Sequence, residues 1–284
     1  MPYKIIFLIL LFCNLNAATF SNYIPDKNVD LKISYLNMNH VNDRNIMTKD
    51  RDFFKKYLSI YPMTIFNSVK DKNLFDYFAS PTNIIYSVDQ SIEYKDKSVF
   101  FLNNNVNEFF NIRRVTFLDD RGIYTKNNIS GFVINKNYVI YVINFADKYD
   151  KKNQNELIEN VKNLYYVINF TRKELHIKRS HIAFIGSFGL SSYQLKQILS
   201  GFRPALTTGT KIVKKKNKYR LSQTENVLLS TDSVFSANID FFTVQTIRDK
   251  RYSKKNLKSY IQKVSPYYPI ILTIKNIKLK KHKF

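Results

Sequence analysis

The chain has 284 residues, 44% hydrophobic and 15% aromatic, with only six glycines and seven prolines. This composition supports a sizeable core, excludes a disordered chain and leaves little material for linkers, so one domain is expected. The formal charge of +23 sets up a field that attracts polyanions such as nucleic acid, anionic lipid headgroups or lipopolysaccharide. A coding bias toward solvated lysine gives the same number, and neither reading bears on the fold.

The amino end carries Lys4, an apolar run from Ile5 to Cys13, and the small residues Ala17 and Ala18. That is the layout of a secretory signal peptide over residues 1–18, cleaved after Ala17 or Ala18, and it predicts a periplasmic or secreted protein of bacterial origin. The run is too short for an ordinary spanning helix. Phe12 before Cys13 argues against lipid attachment. Cys13 is the only cysteine, so disulfides, thiolate chemistry and a cysteine-ligated zinc site are excluded from the mature chain.

After a polar lead over residues 19–30, Leu31–Met38 alternates as a first strand. Lys49–Ser59 is expected as a helix, Met63–Phe66 as a short strand and Lys70–Phe78 as another helix. Ser98–Leu102, Val115–Leu118, Gly131–Ile134 and Tyr138–Asn144 follow as strands, the last two joined by the hairpin-turn residues Asn135, Lys136 and Asn137. Arg113 and Arg114 suit a strand edge guarded against aggregation.

Gln154–Leu175 is the clearest helix, with Leu157, Val161, Leu164 and Ile168 on one face. Ile182–Gly186 is a buried strand ending in a tight turn between Gly186 and Gly189. Ser191 or Ser192 caps the short helix that follows. A basic loop, Lys211–Arg220, precedes strands near Val227–Leu229, Ile239–Val244 and Tyr268–Ile274, and residues 277–284 form a basic tail. Strands outnumber helices, so a mixed α/β sandwich fits better than a parallel βαβ wind.

The order of these pieces resembles the endonuclease/exonuclease/phosphatase superfamily, the deoxyribonuclease I-like fold, over residues 31–276. The family's first strand ends in an aromatic residue and a metal-site Asn, matched by Ser34-Tyr35-Leu36-Asn37. Its second ends in Gln-Glu, matched by Asn67-Ser68. Its Asn-x-His-Leu strand is matched by Asn144-Phe145-Ala146, without the His. Its Gly-Asp-Phe-Asn turn is matched by Gly186-Ser187-Phe188-Gly189. Asn238-Ile239-Asp240-Phe241 keeps an Asp within a late strand, and Ser265-Pro266-Tyr267-Tyr268-Pro269 stands where the family has Ser-Asp-His-Tyr-Pro.

The resemblance implies a four-layer α/β/β/α sandwich: two packed mixed sheets flanked by helices. It also places the family's functional positions at Asn37, Ser68, Ser187, Gly189, Asp240, Pro266 and Tyr267, with no catalytic set intact. Magnesium takes hard oxygen ligands and usually one or two carboxylates, and Ser68 and Ser187 remove two carboxylates from such a site. Tyr267, with an ordinary pKa of about 10, is no base or cationic donor at neutral pH. Losing one stabilising group costs about 10²–10³-fold, so hydrolysis by the family mechanism is not expected and no cofactor is implied.

The expected activity is therefore binding, to a polyanion or a protein partner. The alternative is an active metal-dependent nuclease or phosphodiesterase with a rearranged site, using magnesium and recruiting Asp71, Asp119, Asp120 or Asp147. Asp240 reads either as a remnant of the family site or as an ordinary hydrogen-bonded strand residue. His40, His176, His181 and His282 share no motif spacing and read as surface or satisfied side chains. Lys214, Lys215, Lys216, Lys218 and Arg220, with Tyr219 among them, form a basic cluster. It suits a phosphate backbone with base stacking, or simply a solvated loop. Mass spectrometry of exported protein is expected to show a chain beginning at Ala18 or Thr19, and an intact Met1 on the exported product would refute the signal reading.

Overall fold

The computed structural model describes residues 28–39, 57–58, 60–69, 83–89, 97–103, 109–115, 128–146, 153–215, 218–222, 225–240 and 267–279. Runs of β-branched and aromatic residues bounded by turn residues fold as strands, and these assort into two six-stranded sheets. The first contains β1 (Asn28–Asn37), β2 (Met63–Val69), β3 (Asn83–Asp89), β4 (Lys97–Asn103), β13 (Phe235–Ile239) and β14 (Ile270–Lys278), in the order β13-β14-β1-β2-β4-β3. The second contains β5 (Ile112–Val115), β6 (Ile129–Ile134), β7 (Tyr138–Ala146), β8 (Ile182–Phe188), β9 (Phe202–Pro204) and β12 (Glu225–Ser230), in the order β5-β6-β7-β8-β12-β9. Both are mixed: β1 runs parallel to β2 and β7 parallel to β8, while the other pairs are antiparallel.

Strand β7 shows how the layers are made. Ile140 and Val142 join the core between the sheets, with Tyr35, Ile65, Phe100 and Leu272. Val139, Tyr141 and Ile143 face the other way, against helices α1 (Gln154–Lys162) and α2 (Leu164–Lys173). A strand covered on both faces reads as a continuous apolar run, because side chains alternate and both sides are dry. On the first sheet, Ser34 alternates out of the shared core and hydrogen-bonds Tyr57, a residue in helical conformation. Two packed mixed sheets with few helices match the expected sandwich.

Several local expectations shift. Strand β1 starts at Asn28, inside the expected polar lead. Strand β5 ends at Val115, where the predicted Val115–Leu118 begins, and residues 116–118 lie outside the described residues. Strands β3 and β9 were not foreseen. The long helix is interrupted at Asn163, which remains in the right-handed region while its N–H bonds Glu159, and the expected face of Leu157, Val161, Leu164 and Ile168 is buried.

The basic stretch expected as a loop is a hairpin, β10 (Lys211–Lys215) and β11 (Lys218–Ser222), forming its own two-stranded sheet. Strand β13 ends at Ile239, where the predicted Ile239–Val244 begins, and residues 241–244 lie outside the described residues. Strand β14 runs through Lys278, and the burial of Ile277 and Leu279 takes the core into the expected tail. The signal peptide, the helix predicted at Lys70–Phe78, Pro266 and Lys216 lie outside the described residues, as do most of the Lys49–Ser59 helix and the candidate carboxylates Asp71, Asp119, Asp120 and Asp147.

The edges of the second sheet are β5, which exposes Arg113 and Arg114, and the three-residue β9, which contains Arg203 and Pro204. Gly186 lies within β8 rather than opening the turn, which follows Phe188 at Gly189. Its φ is 141°, and a Cβ there would sit 2.1 Å from the Ile143 carbonyl oxygen. Gly186→Ala is therefore expected to lower stability by about 2–6 kcal/mol, adding backbone strain to overpacking. Denaturant unfolding checks this, and a loss within ~0.5 kcal/mol would contradict the close strand approach.

Candidate functional site

The parallel pairs bring several strand ends to one end of the sandwich. Asn37 stands opposite Asn67 at the carboxyl ends of β1 and β2. Asn144 stands opposite Ser187 at the ends of β7 and β8. Strand β12 is antiparallel to β8, so its first residue, Glu225, pairs with Ser187. In α/β sheets this is the end where ligands are usually bound.

The side chains here form a network that crosses from sheet to sheet. The Asn37 amide donates to Ser187 Oγ at 3.0 Å, and Asn37 Oδ1 accepts from the Asn39 N–H at 2.8 Å. Ser187 Oγ donates to Glu225 Oε1 at 3.5 Å, and the Tyr35 hydroxyl donates to the same oxygen at 3.1 Å. Thr210 Oγ1 donates to Glu225 Oε2 at 2.7 Å. The Asn67 amide donates to the Tyr35 hydroxyl at 2.9 Å and to the Ile143 carbonyl at 3.3 Å. Asn37, Asn67 and Ser187 are 0% exposed and Glu225 is 1% exposed. A buried carboxylate is tolerated when hydroxyls satisfy its oxygens.

Sequence reasoning missed Glu225 and Thr210. Glu225 had a signal, since a Glu opening an otherwise apolar strand demands partners. Nothing in the sequence alone tells that one partner, Tyr35, comes from the other sheet.

The predicted residues fall into three groups. Asn37 and Ser187 meet, as expected. Ser68 is fully buried in a bulge of β2 with φ 57°, and its hydroxyl has no hydrogen-bond partner among the described groups. Gly189, at φ 68°, is held by packing: a Cβ would come 2.8 Å from Ala146 Cβ and 3.0 Å from Leu157 Cδ1. The Asn that the family carries there does not fit without repacking α1 against the turn.

Asp240 and Tyr267 form the last group. Asp240 follows β13, its N–H bonds the Pro269 carbonyl, and the hydroxyl donating to its Oδ2 is that of Tyr61, at 2.5 Å. Tyr267 is buried beside the root of the basic hairpin: it bridges Lys211, whose Nζ lies 5.0 Å from the centre of its ring. Of the histidines, His181 precedes the amino end of β8, the far end of the strand from Ser187.

Both oxygens of Glu225 accept hydrogen bonds, and no group of three His, Cys, Asp or Glu comes together among the described residues, which do not include Asp71, Asp119, Asp120 or Asp147.

Burial, followed by the Glu225 charge, holds the Tyr35 phenol well above its ordinary pKa of 10.0. Raised in the folded state, it contributes stability fully present below about pH 10 and lost as pH rises above it. Tyr35→Phe is expected to cost about 1–3 kcal/mol at neutral pH and to flatten the loss of stability above pH ~10. Urea unfolding at pH 7 and along an alkaline series measures both, and an unchanged alkaline slope would remove Tyr35 from this role.

No protein-family model and no curated protein matches the chain. Solved structures do. An AP endonuclease from Leishmania major aligns with a TM-score of 0.56 at 8% identity, covering 90% of this chain and 90% of its own. ANGEL2, a 2',3'-cyclic phosphatase, aligns with a TM-score of 0.52 at 9% identity, covering 88% and 96%. An endonuclease/exonuclease/phosphatase family protein from Leptotrichia buccalis aligns with a TM-score of 0.51 at 13% identity, covering 86% and 99%. The chain therefore has the deoxyribonuclease I-like fold of the endonuclease/exonuclease/phosphatase superfamily.

Proposed function

We propose that this protein is an exported, catalytically silent member of the deoxyribonuclease I-like group that works by binding a polyanion. The observation that carries the reading is the state of the strand ends. Where the family has acids, bases and metal ligands, this chain has Ser68, Ser187 and a Tyr267 buried against Lys211. The carboxylate present, Glu225, is engaged by Tyr35, Ser187 and Thr210. A carboxylate so engaged is a poor general base and a poor metal ligand, since both tasks need its lone pairs.

The charge of +23 supports a polyanion as the partner, with the basic cluster at Lys214–Lys216, Lys218 and Arg220 as the place of contact. Structural neighbours named for an AP endonuclease and a cyclic phosphatase make phosphate-bearing chains a natural choice. Among the described residues no helix is long and apolar enough to cross a membrane.

The full chain is expected to leave supercoiled DNA unnicked with magnesium or manganese, while binding DNA, RNA or heparin at low salt and releasing them as salt rises. Chelator-sensitive nicking above a buffer control would favour the metal-dependent enzyme instead. No binding to any of the three at low salt would remove the polyanion reading.

A further inference from the structure

Strand β13 forms one border of the first sheet, and no strand among the described residues pairs with its outer side. Its ladder to β14 fixes which backbone groups point outward. The Val234 carbonyl accepts the Lys275 N–H at 3.1 Å, and the Asp240 N–H donates to the Pro269 carbonyl at 2.9 Å. Antiparallel residues alternate between pairs that exchange such bonds and pairs that do not. The backbone groups of Ser236 and Asn238 therefore turn toward Thr273 and Ile271 on β14, and those of Ala237 and Ile239 face out. The Phe235 N–H is taken by Ser233 Oγ at 3.1 Å, so the open stretch is centred on Ala237.

Side chains alternate along the same strand. Phe235 belongs to the core between the sheets, and Ala237 and Ile239 pack against it partly buried. Ser236 and the exposed Asn238 lie on the other face. Sheets usually guard an open border with charge, proline or brevity. The second sheet does so with Arg113 and Arg114 on β5 and with Pro204 on the three-residue β9. Strand β13, Phe-Ser-Ala-Asn-Ile, has no charge and no proline. Basic residues also avoid this part of the chain. From Leu221 to Ile247 there is no Lys or Arg, the longest such stretch in a sequence of net charge +23. The nearest lysine across the ladder, Lys275, stands opposite Val234, just beyond the five paired residues.

We infer that β13 is a self-association edge, on which a second copy of this chain lays its own β13 antiparallel, with a twofold axis at Ala237. The pattern of the strand argues for its own copy as the occupant. Pairing about Ala237 sets Phe235 against Ile239 and Ser236 against Asn238, so apolar meets apolar and polar meets polar. The outward N–H and C=O of Ala237 then bond their own images. Over most of its surface a chain of this charge repels its copies, and a border without lysine or arginine is where two can approach. A contact of five residues a side belongs with transient associations, which bury under about 1,200 Å².

The test is sedimentation equilibrium of the full chain, freed of nucleic acid, across protein concentration and salt. Monomer and dimer in concentration-dependent exchange are expected, with the dimer favoured as salt rises, because salt screens the repulsion between cationic copies. Polyanion binding has the opposite salt dependence, so this inference stands or falls apart from that reading. Ala237→Pro removes an outward N–H and leaves β14 its partners, and it is expected to weaken the dimer about tenfold or more. Ser236→Lys combined with Asn238→Lys opposes like charges across the axis and is expected to weaken it too. Ser236→Lys combined with Asn238→Glu opposes unlike charges and is expected to restore it. Circular dichroism checks that the variants fold, and the two charge combinations carry the result if Ala237→Pro does not. A monomer at every concentration and salt would overturn the inference. A dimer that Ala237→Pro and both charge combinations leave unchanged would overturn it as well, as would one that forms only when nucleic acid is added.

Discussion

The arrangement that the rest of this structure depends on is a buried carboxylate shared by the two sheets. Glu225 belongs to the second sheet, yet Tyr35, one of its hydroxyl donors, comes from the first. Apolar contact alone would let two sheets slide over one another, because dispersion and hydrophobic burial have little directional preference. Hydrogen bonds to a charged acceptor are directional and stronger than neutral ones. Together with Asn37 on Ser187 and Asn67 on the Ile143 carbonyl, they hold the strand ends of the sandwich in one register. Breaking any member leaves a polar group in a dry place, so the network survives as a unit or not at all.

The same network shows how polar strand ends are satisfied in this fold. Strand ends in this architecture converge whether or not they carry acids and metal ligands, and converging polar backbone and side-chain groups must be satisfied somehow. Among the described residues a single carboxylate, Glu225, accepts from hydroxyls of Tyr35, Ser187 and Thr210, with the Asn37 and Asn67 amides bonded beside it.

The outline of the fold was legible because its strands carry strong periodicity and its landmarks come in the right order. Tyr138–Asn144 and Ile182–Gly186 were found on apolar content alone, and the exposed edge arginines on charge. What escaped was decided by tertiary contact. Lys211–Arg220 looks like a loop because its lysines give no strand pattern, and the ribbon depends on cross-strand pairing and on Tyr267 at its root. Glu225 and Tyr61 escaped because each meets a partner far away in sequence. The positions of Asn37 and Ser187 were readable from a motif, but the hydrogen bond between them was not.

The edges of the second sheet bear on how copies of this protein meet one another. An open edge of unpaired N–H and C=O groups invites another strand to add on. At one border two neighbouring guanidinium groups would face their own images, and at the other the strand is only three residues long and ends in a proline that offers no donor. Strand addition is thus disfavoured at both borders, and filament growth through this sheet has no good starting point. Two copies brought close would meet there as repelling neighbours rather than fuse into a continuous sheet.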